Sequence, residues 1–141
     1  MTKNSRPFEV IRLDHVVLRC SHIEATIDFY ARVLGCKVER KVENIGLYQL
    51  RAGDSLIDLV PVGSELGGYC EPAADKFNLA HYCLRIAVHD WAALLCHLEA
   101  HDISTQASQK RYGADGYGQS IYIDDPEGNT IELKGAPESL Q

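Results

Sequence analysis

The sequence predicts an α+β domain assembled from two copies of one strand–helix–strand–strand–strand module. Three observations predict it. Leu13-Asp14-His15-Val16-Val17-Leu18-Arg19-Cys20 and Ala80-His81-Tyr82-Cys83-Leu84-Arg85-Ile86-Ala87-Val88 repeat one pattern: a histidine, alternating apolar residues, and an arginine four positions later. Each copy precedes a segment of helical periodicity and then short alternating segments separated by turn residues. With 141 residues, 45% hydrophobic and 24% charged, the chain has the size and composition of one globular domain. Neither module buries its sheet alone, so the two are expected to share a core.

The elements follow in order. After the first strand, Ser21 and Glu24 have capping-box spacing. Ile23, Ile27, Tyr30, Val33 and Leu34 recur on one helical face, and Gly35 stops the helix. Strands are expected over 36–42, 45–51 and 55–60, with Gly53-Asp54 as a turn and Pro61 closing a module of about 10–62. Residues 63–78 are expected as a linker, and 65–78, rich in Gly, Pro and charge around Gly67-Gly68-Tyr69, read as a linker or lid. In the second module, about 79–135, Asp90 caps a helix carrying Trp91, Leu94, Leu95 and Leu98. Strands over 103–107, 119–124 and 129–134 follow, the last two joined by Asp125-Pro126-Glu127-Gly128-Asn129.

Bulk properties narrow the function. A net charge of −6 without a basic stripe argues against nucleic-acid partners. No apolar stretch is long enough to span a membrane, and the N-terminus lacks the apolar run of a signal peptide. The five cysteines form no Cys-x-x-Cys pair, which points to neither a disulfide framework nor a thiolate zinc site. Cys70, in a Gly-Gly-Tyr-Cys loop, is the one expected to be exposed. A reducing, cytoplasmic setting is the expectation.

Period-two alternation assigns faces to the strands. Val16, Leu18 and Cys20 oppose His15, Val17 and Arg19; Tyr82, Leu84, Ile86 and Val88 oppose His81, Cys83, Arg85 and Ala87. With the apolar rows under the helices, both histidines face the concave side. Ile131 and Leu133 fit the helix side, which turns Thr130, Glu132 and Lys134 inward, and Asp58 opposes Ile57 and Leu59 in the same way. Each module thus contributes one histidine from its first strand and one carboxylate from its last. Such a mixed nitrogen–oxygen set suits a divalent Ni, Co, Zn, Mn or Fe. The same residues also admit a structural reading, as hydrogen-bonded core histidines and carboxylates paired with Arg19 or Arg85. Tyr48 and Tyr122 are expected in or beside the concave face.

Residues 13–34 (LDHVVLRCSHIEATIDFYARVL), 78–88 and 120–134 (SIYIDDPEGNTIELK) resemble the glyoxalase / bleomycin-resistance / dioxygenase group, the vicinal oxygen chelate superfamily. The resemblance implies a cup-shaped mixed sheet built from two βαβββ modules in one domain spanning 1–141, in a homodimer whose pairing completes each cup. It implies metal ligation by His15, His81 and Glu132, with Asp58 where metal-dependent glyoxalase I has a Glu. The implied activity is a glyoxalase I-like lyase or isomerase acting on a small substrate with vicinal oxygens through an enediolate-like intermediate, with Glu132 and Asp58 linked to proton transfer. Arg19 matches a glutathione-binding arginine of glyoxalase I, which makes glutathione a candidate co-substrate, whereas Val62 replaces the family's partner asparagine. Arg85, Arg111 and Tyr122 complete the expected substrate-binding set. Arg111-Tyr112-Gly113-Ala114-Asp115-Gly116 resembles a loop of lactoylglutathione-lyase-like virulence proteins; it reads either as backbone N–H groups approaching an anion or as an ordinary connection. Competing readings from the same resemblance are a fosfomycin-modifying or dioxygenase-type metalloenzyme and a non-catalytic, bleomycin-resistance-like binding protein.

Overall fold

The structure is a computed structural model that describes residues 6–73 and 78–138; part of the expected 65–78 lid lies outside the described residues. The first module runs β1 (His15–Cys20), α1 (Ile23–Asp28), a π-helical turn (Phe29–Val33), β2 (Lys37–Val42), β3 (Leu47–Ala52) and β4 (Ser55–Pro61). The second runs β5 (Tyr82–Arg85), α2 (Trp91–Ala100), β6 (Gln109–Gly113), β7 (Gly116–Asp124) and β8 (Thr130–Pro137). The sheets repeat one topology, β1-β4-β3-β2 and β5-β8-β7-β6, in which the first strand of each module pairs parallel with its last. That is the α+β architecture of two βαβββ modules expected from the repeat.

One core serves both halves. Leu18, Leu50, Ile57 and Leu59 of the first sheet join Ile121, Ile131 and Leu133 of the second, with Leu98 of α2 and Tyr30 in the same cluster. The widened π turn lets the consecutive residues Phe29 and Tyr30 both turn inward; their rings meet edge to face with centroids 5.2 Å apart. Tyr30 Oη donates to Asp125 Oδ2 at 2.7 Å and lies 2.6 Å from Tyr82 Oη. Asp125 also accepts from the backbone N–H groups of Glu127 and Asn129 and from Asn129 Nδ2, each at 2.9 Å. The 125–129 turn is thereby fastened to the first module's helix. Burial pushes the Tyr30 and Tyr82 hydroxyls well above the ordinary phenol range, so both stay protonated as donors.

Several expectations change. Asp90 caps α2 through Ala92 and Ala93 as expected, but Ser21 does not cap α1: its hydroxyl donates to Glu71, and the backbone N–H of His22 donates to Glu127. No strand forms over 103–107. There Thr105 Oγ1 donates to the Tyr122 carbonyl, and β6 instead takes Gln109–Gly113 because the tight Gly113–Gly116 turn sets its register against β7. The Arg111–Gly116 stretch is therefore a hairpin, with its backbone groups committed to a strand ladder rather than to a loop around an anion. Cys83 and Cys96 are exposed along with Cys70, on the concave face of β5 and the outer side of α2. Leu95 is also exposed, while Trp91, Leu94 and Leu98 pack inward.

Candidate metal and substrate site

Both sheets place the expected ligands as mirrored pairs. His15 Nε2 lies 3.9 Å from Asp58 Oδ2, and His81 Nε2 lies 3.2 Å from Glu132 Oε1. Both carboxylates are buried, and both histidines are partly open. The shared pattern follows from register: parallel pairing sets the opening histidine of each module beside a carboxylate of its last strand. Among the described residues, no three His, Cys, Asp or Glu side chains cluster closely enough to hold a metal within one chain. The chain presents two half-sites. A cleft lined by His15, Val16, Ile57, Tyr82 and Cys83 runs where β1 and β5 approach.

Each carboxylate has neutral partners that alternation alone does not reveal. Glu132 accepts from Ser120 Oγ at 2.7 Å and from Tyr122 Oη at 3.1 Å. Burial works to raise its pKa, but these two hydrogen bonds and His81 outweigh it and hold the carboxyl below its ordinary value. Glu132 is thus ionised at neutral pH, as a ligand requires. The Tyr122 ring also stands edge-on to His81, with centroids 5.6 Å apart. Asp58 is gripped by Gln49, whose Nε2 lies 3.2 Å from both oxygens. Gln49 is the register neighbour of Asp58 on β3, a relation legible only once the β3–β4 pairing is known. Cys83 faces the same side as Glu132, and burial followed by the Glu132 charge pushes its pKa up to about 11, so it stands as a thiol.

His15 is oriented from behind. Its Nδ1 lies 2.7 Å from Asp14 Oδ2, which leaves Nε2 directed toward Asp58. The Asp14 hydrogen bond raises the imidazole pKa against a smaller opposing effect of burial, and the Asp58 charge adds to the rise. In the metal-free protein His15 is expected to titrate above the ordinary 6.5, and Asp14→Asn to bring the midpoint down. A metal at Nε2 would compete with the proton there, so its uptake would weaken as pH falls through that raised midpoint. An NMR titration of the ring in both proteins measures this; identical midpoints would show that Asp14 does not set the basicity of His15.

The expected substrate groups divide. Arg19 is spent on the loop after β4, donating from Nε to the Gly67 carbonyl at 2.7 Å and from its guanidinium to the Cys70 carbonyl. It anchors that loop, which accounts for the arginine without a glutathione. Arg111 donates to Tyr122 Oη at 3.3 Å, extending the row Arg111–Tyr122–Glu132–His81 across the second sheet. Arg85 pairs with Asp115 at 3.2 Å. Tyr48 packs against the core rather than lining the site.

The model of the Glyoxalase/Bleomycin resistance protein/Dioxygenase superfamily matches residues 12–133. The chain belongs to that superfamily. This superfamily member is 36% identical over 133 residues to the glyoxalase domain-containing protein RDO1 of Mycosarcoma maydis, covering 93% of this chain and 72% of that protein. It is 31% identical over 127 residues to Virulence protein STM3117 of Salmonella typhimurium, covering 86% of this chain and 82% of the relative. The crystal structure of STM3117 matches with a TM-score of 0.71 at 30% identity, over 92% of this chain and 99% of that one. A crystal structure of lactoylglutathione lyase from Agrobacterium tumefaciens shares the fold, with a TM-score of 0.61 at 19% identity over 90% of this chain and 95% of that one. No helix among the described residues is long and apolar enough to cross a membrane.

Proposed function

We propose that this protein is a metal-dependent lyase or isomerase of the glyoxalase I-like type, acting on a small substrate with two neighbouring oxygens. The observation that supports this reading is the duplicated pair: in each module one imidazole Nε2 stands beside one buried carboxylate. The donor set, two nitrogens and two oxygens with a hydrogen-bonding partner behind three of them, fits a divalent ion of the first transition row. His15, His81 and Glu132 would hold it, with Asp58 as a fourth and weaker donor. Bound there, a divalent ion supplies Lewis-acid polarisation of the substrate oxygens. The chain's own residues do the rest. Glu132, ionised between two hydroxyl donors, takes a proton from the substrate carbon at Oε1 and returns it to the neighbouring carbon. Tyr122 holds that carboxylate and the His81 ring in one geometry, and Arg111 adds positive charge behind Tyr122.

A homodimer is part of the proposal. A pairing that sets the first module of one copy against the second module of another would unite the two half-sites in one cup, twice over. Metal analysis of the chelator-treated, reconstituted protein tests both statements. Wild type is expected to bind about one ion per chain, and His15→Ala and Glu132→Ala to bind almost none. Refolding His15→Ala together with His81→Ala then reads out the pairing. Mixed dimers regain one intact cup, so a statistical mixture is expected to recover about a quarter of the wild-type metal. Absence of metal in the reconstituted wild type sinks the enzyme reading; absence of recovery on mixing sinks the shared cup.

A further inference from the structure

We propose that the end of the second half-site away from His81 is an anion subsite, where an anionic group of the substrate takes the place of Asp115 between Arg85 and Lys134. This deepens the function proposed above and rests on it for the position of the substrate oxygens at Glu132. It names the substrate class as a small molecule that carries a carboxylate, phosphonate or phosphate in addition to its vicinal oxygens.

Lys134 lies two residues beyond Glu132 on β8 and therefore on the same face. Its side chain is only 4% exposed, and among the described residues its Nζ is the buried side-chain polar atom with no hydrogen-bond partner. A buried ammonium without an acceptor is unfavourable, and Glu138, whose carboxylate feels its charge, makes no hydrogen bond to it. The fold nevertheless makes room for it. A Cβ at Gly113 would lie 2.8 Å from Lys134 Cε, and one at Gly118 would lie 2.8 Å from Nζ. The two glycines form a trough that carries the lysine stem from β8 across β7 toward β6.

Arg85 supplies the second observation. It is the register neighbour of Lys134 on β5, and its Nε reaches Asp115 Oδ2 at 3.2 Å. Asp115 belongs to the turn between β6 and β7, so the ion pair spans β8 and β7 at the level of the buried lysine. Both partners of that pair are exposed, and ion pairs in water are weakly held. Asp115 thus meets Arg85 with an exchangeable carboxylate, in the turn that follows the Gly113 wall of the lysine trough, and an anion taking its place is the ligand proposed.

The test is titration of the wild-type protein with inorganic phosphate and with malonate, followed by calorimetry and by the rise in Tm, in buffer free of other multivalent anions. Wild type is expected to bind one or both saturably. Lys134→Met, similar in length and without charge, is expected to unfold at a Tm no lower than wild type in the absence of anion, and to bind at least about tenfold more weakly. Asp115→Asn releases Arg85 and is expected to bind several-fold more tightly. The opposite directions of the two variants separate a subsite from a general loss of structure. Wild-type-like titration by Lys134→Met, or no saturable binding by wild type, would overturn the proposal. Metal content measured on the same samples separates the two readings. Anion binding without metal uptake retains the subsite and removes the metalloenzyme, and metal uptake without anion binding does the reverse.

Discussion

Glu132→Gln is expected to weaken metal binding by more than about 100-fold, because loss of even an outer-shell partner typically costs 10–100-fold and this is a charged ligand. The substitution preserves shape. Ser120 and Tyr122, which now donate to the carboxylate, can turn their hydroxyls to suit an amide, so the fold is retained and the loss reports ligand charge. Asp58→Asn is expected to cost clearly less, no more than about tenfold on the same scale. Asp58 is one methylene shorter, stands 3.9 Å from its histidine against 3.2 Å for Glu132, and is already gripped through both oxygens by Gln49. Competition of each variant with a chelating dye measures both. Equal losses would show that the halves contribute equally and that Asp58 is a full ligand.

Asp125→Ala is expected to destabilise the fold by about 3–5 kcal/mol, the range for removing one member of a buried charged network. The carboxylate accepts from Tyr30 Oη, two backbone N–H groups and the Asn129 amide, and its loss leaves the buried Tyr30 hydroxyl with only Tyr82 as partner. For a domain of this size that corresponds to a fall in Tm of roughly 10 °C or more. Asp125→Asn, which keeps the shape and one acceptor, is expected to lose about half as much. Thermal unfolding of both variants tests this. A loss under about 1 kcal/mol for the alanine variant would show that the turn is held by backbone geometry alone.

Alternation within single strands made much of this site readable. Glu132 and Asp58 oppose apolar neighbours on both sides, so their face was decided locally, as were those of His15 and His81. The repeated module was equally plain, because the same order of elements recurs after each His-and-Arg strand. Relations set by register between distant strands were not accessible in this way. Gln49 meets Asp58, and Ser120 meets Glu132, only through the β3–β4 and β7–β8 pairings. Arg19 looked free for a ligand because nothing in its own strand reveals the carbonyls of Gly67 and Cys70. The strand expected over 103–107 does not form, because the hairpin turn at Gly113–Gly116 governs which residues pair. The proposed assembly of the half-sites would be a relation between chains, to which the order of residues within one chain gives no geometry.

Of the strands that end the two sheets, β1 and β5 approach each other while β2 and β6 lie at the outer borders, and these outer two bear on how copies of this protein could meet. β2 and β6 leave backbone donors and acceptors open along one side, and such borders invite further strands to add. Both are guarded: β2 carries Lys37, Glu39, Arg40 and Lys41 and an irregular register between Val38 and Arg40, while β6 carries Lys110 and Arg111. Charge and distortion there disfavour runaway strand addition, the route toward fibrous aggregates. In the proposed homodimer, association would use the concave faces instead of the outer borders, so that a closed pair forms and growth stops.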